Sequence, residues 1–377
     1  MKITAVRIFH VQPRWTFVAI DTDRGITGYG EPVVEGQSLV VEAAVRHFAE
    51  YLVGKDPRRI EHHWQVMYRG GFYRGGAVGV SAISGLEHAL WDIKGKFYGA
   101  PVYEMLGGRV RDRIRMYGHG RGETDADFVA AALRAKEQGL TAIKIGIDGP
   151  ARALESLDYV DRQARRLAAV REAVGPEFDI AIDMHGRTTP AAAKQIIAKF
   201  EPYHPLWVEE PCLPENIDAL CDIAESTTVP IASGERRFTK WEFRELIDRR
   251  AVSVVQPDLC HAGGILESKK IAAMAEAQYM SIAPHNPLGP ISLAACVQLD
   301  ACTPNFAIQE HPSMDDGSDL GVGLLTSPFT IADGFIDVPS GPGLGIQPDE
   351  DLFVERSYDG NWRTPVFVHD DGSHGDW

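Results

Sequence analysis

Three carboxylates, Asp183, Glu209 and Glu235, stand 26 residues apart in succession, and each closes a short apolar run: FDIAID, PLWVEE and VPIASGE. A strand, a loop and a covering helix together consume about that many residues. The spacing therefore predicts three carboxylates on consecutive parallel strands, all at one rim. Three anions gathered there would repel one another unless a divalent ion neutralised them, and an all-oxygen ligand set suits a hard cation. The residues predict a metal site, with magnesium or manganese favoured over zinc. Glu210 adjoins Glu209, but neighbouring strand residues face opposite ways, and the matching spacing selects Glu209.

Two histidines flank this cation site. His185 lies two residues after Asp183, so strand alternation predicts both side chains on the same interior face. His285 closes the run MSIAPH, and Asp258 closes SVVQPD one strand earlier. Asp258 is thereby placed to accept a hydrogen bond from one ring nitrogen of His285 and raise the basicity of the other. Proton carriers on both sides of a metal-held substrate are what acid–base chemistry requires.

The elements that position these residues show one rhythm. Eight strand-like runs end at Gly118, Gly146, Asp183, Glu209, Glu235, Asp258, His285 and Glu310, and helical sequences such as TDADFVAAALRAKEQG and LESKKIAAMAEAQ lie between them. Eight strands alternating with helices predict a TIM-type barrel, because polar residues at eight successive strand ends call for closure around one mouth. Before the barrel, MKITAVRIFHV and FVAIDTDRGITGYGE read as strands, and VEAAVRHFAEYLVG and SAISGLEHALWDIKGKFYG read as helices. The expected division is an α+β capping domain over residues 1–110, a barrel over 111–326, and a C-terminal segment, 327–377, packing on the cap.

The series Asp183, Glu209 and Glu235, with VEEP, GER, QPDLCHAGG and APHNPLGP, resembles the mandelate racemase branch of the enolase superfamily, and is most similar to its D-galactonate dehydratase family. The resemblance extends through QPRW, EPVVEG, MYRGGFYRGG and NWRTPVF, and so covers nearly the whole chain. It implies an α/β fold with a (β/α)7β barrel and a cap, a homo-oligomer, and one Mg²⁺ per subunit held by Asp183, Glu209 and Glu235. It further implies that His285, oriented by Asp258, removes the proton alpha to the carboxylate of a sugar acid. His185 then protonates the departing 3-hydroxyl, and Glu310 helps to hold the substrate carboxylate. The product would be a 2-keto-3-deoxy sugar acid.

Departures from the family pattern fall at the sugar end of the pocket. The second strand reads Lys144-Ile145-Gly146, without the second lysine of the Lys-x-Lys pair that serves as base in racemases and cycloisomerases of the superfamily. The pattern after the first strand, Tyr117-Gly118-His119-Gly120-Arg121, and GERRF with Arg237 also differ. Substrate contacts are therefore expected from Arg14, His119 and Arg237, with Arg69 and Arg74 as further cap candidates. Two other readings compete with the dehydratase: an epimerase or cycloisomerase of the same scaffold, and a metal-dependent binder without catalysis.

Whole-chain properties exclude other classes. A net charge of −15 disfavours nucleic acid, and no apolar run is long enough for a membrane span. MKITAVRIFH lacks the apolar stretch of a signal peptide, and five cysteines without CxxC spacing suit a reducing, cytoplasmic compartment. Neither a G-x-G-x-x-G cradle nor a G-x-S-x-G elbow is present.

Overall fold

The computed structural model describes residues 1–376; Trp377, the last residue of the expected C-terminal segment, lies outside the described residues. The chain opens with an antiparallel meander, β1 (Ile3–Val11), β2 (Trp15–Thr22) and β3 (Thr27–Gly30). Three helices follow: α1 (Ser38–Leu52), α2 (Ile60–Arg69) and α3 (Gly76–Tyr98). α3 is buried over most of its length because it lies between the meander and the barrel, where both sides of a helix must be apolar. The contact with β3 is backbone against backbone. A Cβ on Gly30 would sit 1.8 Å from the carbonyl oxygen of Gly85, so that position admits glycine alone.

The barrel strands are β4 (Arg113–Gly120), β5 (Ala142–Gly146), β6 (Asp179–Asp183), β7 (Val208–Glu209), β8 (Ile231–Ser233), β9 (Val254–Val255), β10 (Ser281–Ile282) and β11 (Gln309–Glu310). They pair in parallel in the order β10-β9-β8-β7-β6-β5-β4-β11. The two ends of this run meet at an isolated parallel bridge between Ile282 and Phe306, where Ile282 donates to Asn305 and accepts from Ala307. Several ladders are shorter than the apolar runs suggest. β8, β9 and β10 stop two or three residues before Glu235, Asp258 and His285, because the chain there already turns outward into loops and gives up its ladder hydrogen bonds.

Inside the ring, each strand or its flank contributes one residue to a buried apolar layer. Tyr117, Trp207, Val254 and Ile308 are its large members, and Ala142, Ala181, Ala232 and Ala283 the small ones that make room for the two big rings. Cap and barrel also share a core: Trp15, Leu86 and Trp91 of the cap cluster with Leu259, Ile265, Ile291 and Leu299 beneath the barrel loops.

The C-terminal segment divides three ways. A strand, β12 (Phe335–Asp337), pairs antiparallel with the start of β4. Leu344, Ile346 and Phe353 enter the cap core, where Phe353 meets Phe9 and Phe17. The last hairpin, β13 (Phe367–Val368) with β14 (His374–Gly375), reaches the barrel mouth: Phe367 lies under the Arg187 guanidinium, and a Cβ on Gly375 would touch Pro150.

Candidate active site

Two residues beyond the apolar layer, the same strand alternation delivers a second interior layer, and this one is polar. His119 follows Tyr117, Lys144 follows Ala142, Asp183 follows Ala181 and Glu209 follows Trp207. Gln256, His285 and Glu310 follow Val254, Ala283 and Ile308 in the same way. Asp183 and Glu209 are register partners on adjacent strands. Glu235 joins them from just past β8, across Gly234, whose φ of 149° and contact with the Gln256 carbonyl exclude a side chain. Oxygens of Asp183, Glu209 and Glu235 lie within 4.8 Å of one another. The triad is thus assembled, and the donor set is all carboxylate.

Glu209 is fully buried and accepts from Trp207 Nε1 and Gln256 Nε2, both at 2.9 Å. Burial pushes its carboxyl up to about 8; Lys144 draws it back, and the like charges of Asp183, Glu310 and Glu235 work against that relief. One Glu235 oxygen, Oε2, is buried without a hydrogen-bond partner among the described residues. A crowded, desolvated set of carboxylates with an unfilled acceptor fits a dication, which removes both the repulsion and the burial cost.

Lys144 was not among the expected site residues. Its ammonium lies 2.7 Å from Glu209, 2.6 Å from Glu310 and 3.2 Å from Asp183, in a position 5% exposed. Burial opposes its charge, but the surrounding carboxylates outweigh burial and hold it well above its ordinary value. The signal was present in the sequence, since Lys144 stands two residues after Ala142 on an interior-facing strand position. Glu210 leaves the strand with a φ of 43°, is buried, and accepts from Ser233 Oγ at 2.5 Å and Gly234 N–H at 3.1 Å. It therefore supports the β8 loop, beside the triad and outside it.

His285 and Asp258 form the expected pair: Nδ1 of His285 and Oδ2 of Asp258 are 2.9 Å apart. Nε2 is left facing the cavity, 3.5 Å from Glu235. Burial disfavours the imidazolium, yet Glu235, Glu310 and Asp258 hold the ring well above its ordinary value. His185 Nε2 lies 2.9 Å from Asp183, and its Nδ1 lies 3.1 Å from Arg187. Asp183 raises its basicity while burial and Arg187 oppose that. His185 and His285 reach one cavity of about 870 Å³.

Glu310 is ringed by donors. Lys144 and His119 meet Oε1, the latter at 2.5 Å, and Asn286 N–H donates to Oε2 at 2.7 Å. Burial works to raise its carboxyl, but Lys144, His285 and His119 hold it well below the usual range. His119 lines the cavity, and burial pulls its ring down to about 4 despite Glu310. Arg14 also lines the cavity, anchored on the Pro287 carbonyl at 2.8 Å and Glu35 at 3.3 Å. Arg237 does not reach the cavity wall: its guanidinium turns to the Pro214 carbonyl at 3.1 Å, and Arg236 takes that wall. The loop after Gly234 no longer follows strand alternation, so these adjacent arginines take different directions. Arg69 and Arg74 line a separate cleft with Trp64 and Trp241. The Cys212 thiol is pushed up to about 11 by burial and that of Cys260 well above its ordinary value, which disfavours the thiolate at both.

Two family models match the chain: the mandelate racemase/muconate lactonizing enzyme N-terminal domain over residues 3–107 and the enolase C-terminal domain-like model over residues 127–352. The chain belongs to the mandelate racemase/muconate lactonizing enzyme family. Within this family, it is 45% identical to a D-galactonate dehydratase of Ralstonia nicotianae and 46% identical to one of Variovorax paradoxus, each over the full length of both chains. Among solved structures, an enolase from Agrobacterium radiobacter with bound Na and L-malate aligns at TM-score 0.92 and 33% identity, with all of both chains covered. A mandelate racemase/muconate lactonizing enzyme from Jannaschia sp. CCS1 aligns at 0.90 and 34% identity, covering 96% of this chain and 99% of that one. No helix among the described residues is long and apolar enough to cross a membrane.

Proposed function

We propose that this family member is a Mg²⁺-dependent sugar-acid dehydratase, with a D-galactonate-like aldonate as substrate. The observation that carries this reading is the convergence of Asp183, Glu209 and Glu235 within 4.8 Å, flanked by the His285–Asp258 pair and by His185 in one cavity. Full-length identity of 45% to proteins named D-galactonate dehydratase supports the substrate class. The divalent cation, held by the three carboxylates, supplies the positive charge that an enolising carboxylate requires.

The protein's own groups do the proton work. With its ring neutral, His285 Nε2 takes the proton alpha to the carboxylate, and Asp258 holds the ring at Nδ1 so that Nε2 faces the substrate. The electron pair from that C–H bond forms the new double bond as the 3-hydroxyl departs. His185, whose Nε2 lies 2.9 Å from Asp183, gives its proton to that hydroxyl, and water leaves. The resulting enol tautomerises to the 2-keto-3-deoxy acid. Lys144 and His119 hold Glu310 in place at the carboxylate end of the site.

The test is a panel of C5 and C6 aldonic and aldaric acids incubated with protein and Mg²⁺, with 2-keto-3-deoxy products read by semicarbazide absorbance. Turnover of at least one member is expected. No turnover across the panel, or α-proton exchange with solvent deuterium without elimination, would replace the dehydratase with an epimerase or a binder.

A further inference from the structure

We propose that Glu31, a residue of the cap, is a positioning residue for His285, anchoring the loop that carries this base to the helix behind it. The inference rests on the dehydratase reading for the role of His285, while its geometric basis is independent of substrate. Glu31 stands one residue past β3 and is fully buried. Its Oε1 accepts the Gly289 N–H at 2.8 Å and its Oε2 accepts the Ser292 N–H at 2.9 Å. These donors belong to the start of the helix Pro290–Ala301, whose N-cap position is Gly289 and whose first residue is a proline. That helix has no side-chain cap of its own, so its exposed donors depend on a carboxylate from the other domain.

The fit is close. A Cβ on Gly289 would lie 2.7 Å from Glu31 Oε1 and 3.1 Å from Trp15, so the glycine leaves room for the carboxylate. The four residues from Asn286 to Gly289 are tethered at three points: Asn286 N–H to Glu310 at 2.7 Å, the Pro287 carbonyl to Arg14 at 2.8 Å, and Gly289 N–H to Glu31. Two of those three tethers come from the cap. Asp258 fixes the rotation of the His285 ring, whereas Glu31 and Arg14 fix where its backbone stands. The cap treats the preceding strand the same way: buried Glu87 of α3 accepts from Ile265 and Leu266, at 2.8 and 3.0 Å, at the start of the helix after Asp258. Both members of the dyad thus sit on loops whose far ends are pinned by a cap carboxylate.

Glu31→Ala, Glu31→Gln and Glu31→Asp in the full chain test this. For Glu31→Ala, kcat is expected to fall on the order of 100-fold, since a small displacement of a reacting group costs about that much. KM should stay within about threefold, because substrate binding is separate from the base. The primary isotope effect on α-deuterated substrate should rise as proton abstraction becomes limiting, and backbone amides of 286–292 should exchange faster. The Gln and Asp variants, which retain an acceptor, should recover part of kcat, and Gln carries the comparison if Ala fails to fold. Glu350→Ala, which removes the Arg7 and Tyr29 contacts of the cap, serves as a stability control with kcat unchanged. Unaltered exchange at 286–292, or a Glu31→Ala enzyme with wild-type kcat, would overturn the proposal. If the wild-type protein turns over no sugar acid, the functional reading fails, and the exchange comparison still decides whether Glu31 anchors the loop.

Discussion

Nδ1 of His285 and Oδ2 of Asp258 lie 2.9 Å apart, with Asp258 fully buried and receiving a second bond from the Cys260 N–H at 2.7 Å. A carboxylate held this way cannot rotate to follow the ring, so the ring follows it. His285 is thereby left with Nε2 toward the cavity.

His285→Asn should therefore lower kcat by roughly 10²- to 10⁴-fold, the range for losing a general base. Asp258→Asn should lie between that variant and wild type, because ring and cation site both survive. Steady-state kinetics decides it, together with α-proton exchange into deuterated solvent. A His285→Asn enzyme that still exchanges the proton would remove His285 from this role.

Stripping the protein with a chelator should abolish turnover and lower Tm, and Mg²⁺ at about 100 times its Kd should restore about 2.7 kcal/mol of stability. Glu235→Gln, which removes one of the three carboxylate charges of the ligand set, should lose most of that gain. Calorimetry with and without Mg²⁺ reads this directly. Equal gains in wild type and variant would place the cation elsewhere.

Lys144→Ala removes the ammonium that touches Asp183, Glu209 and Glu310. Leaving buried charges unpaired costs about 3–5 kcal/mol, so the metal-free variant should unfold well below wild type. Added Mg²⁺ should raise its Tm by more than it raises that of wild type, since the dication takes over the neutralisation. The same Tm rise in both proteins would show that lysine and cation do not share those carboxylates.

His88, fully buried in α3, lies 3.0 Å through Nε2 from the Leu259 carbonyl, and its Nδ1 has no partner among the described residues. Burial pulls its ring down to about 4, below the ordinary value of 6.5. Between those values the unfolded chain binds a proton that the folded protein refuses. The stability from His88 is thus complete above about pH 6.5 and is lost as the pH falls toward 4, by roughly 3 kcal/mol in all. His88→Gln should flatten the fall of Tm between pH 7 and 4.5; an unchanged slope would assign the acid sensitivity to other groups.

Much of the site was legible because strand alternation and the β/α rhythm are local rules. Asp183, Glu209, Glu235, Asp258, His285 and Glu310 each end an apolar run, and the fold needed only to close for them to meet. Lys144 obeys the same alternation, two residues after Ala142, so its place among the acids was legible as well. Arg237, expected as a substrate contact from the departure at GERRF, turns away because the chain past Gly234 is a loop, and loop direction is set by contacts remote in sequence, here with Pro214.

The sequence by itself determined the eight barrel strands, the identity of the three clustering acids and the pairing of Asp258 with His285, since each follows from spacing within or between neighbouring elements. Tertiary structure alone decided that Arg14 of the cap reaches the Pro287 carbonyl and that the C-terminal hairpin reaches the mouth. It also decided that Glu31 caps a helix 258 residues away. Those contacts join segments far apart along the chain, and no periodicity encodes them; they exist because packing the cap onto the barrel leaves buried donors and acceptors that must find one another.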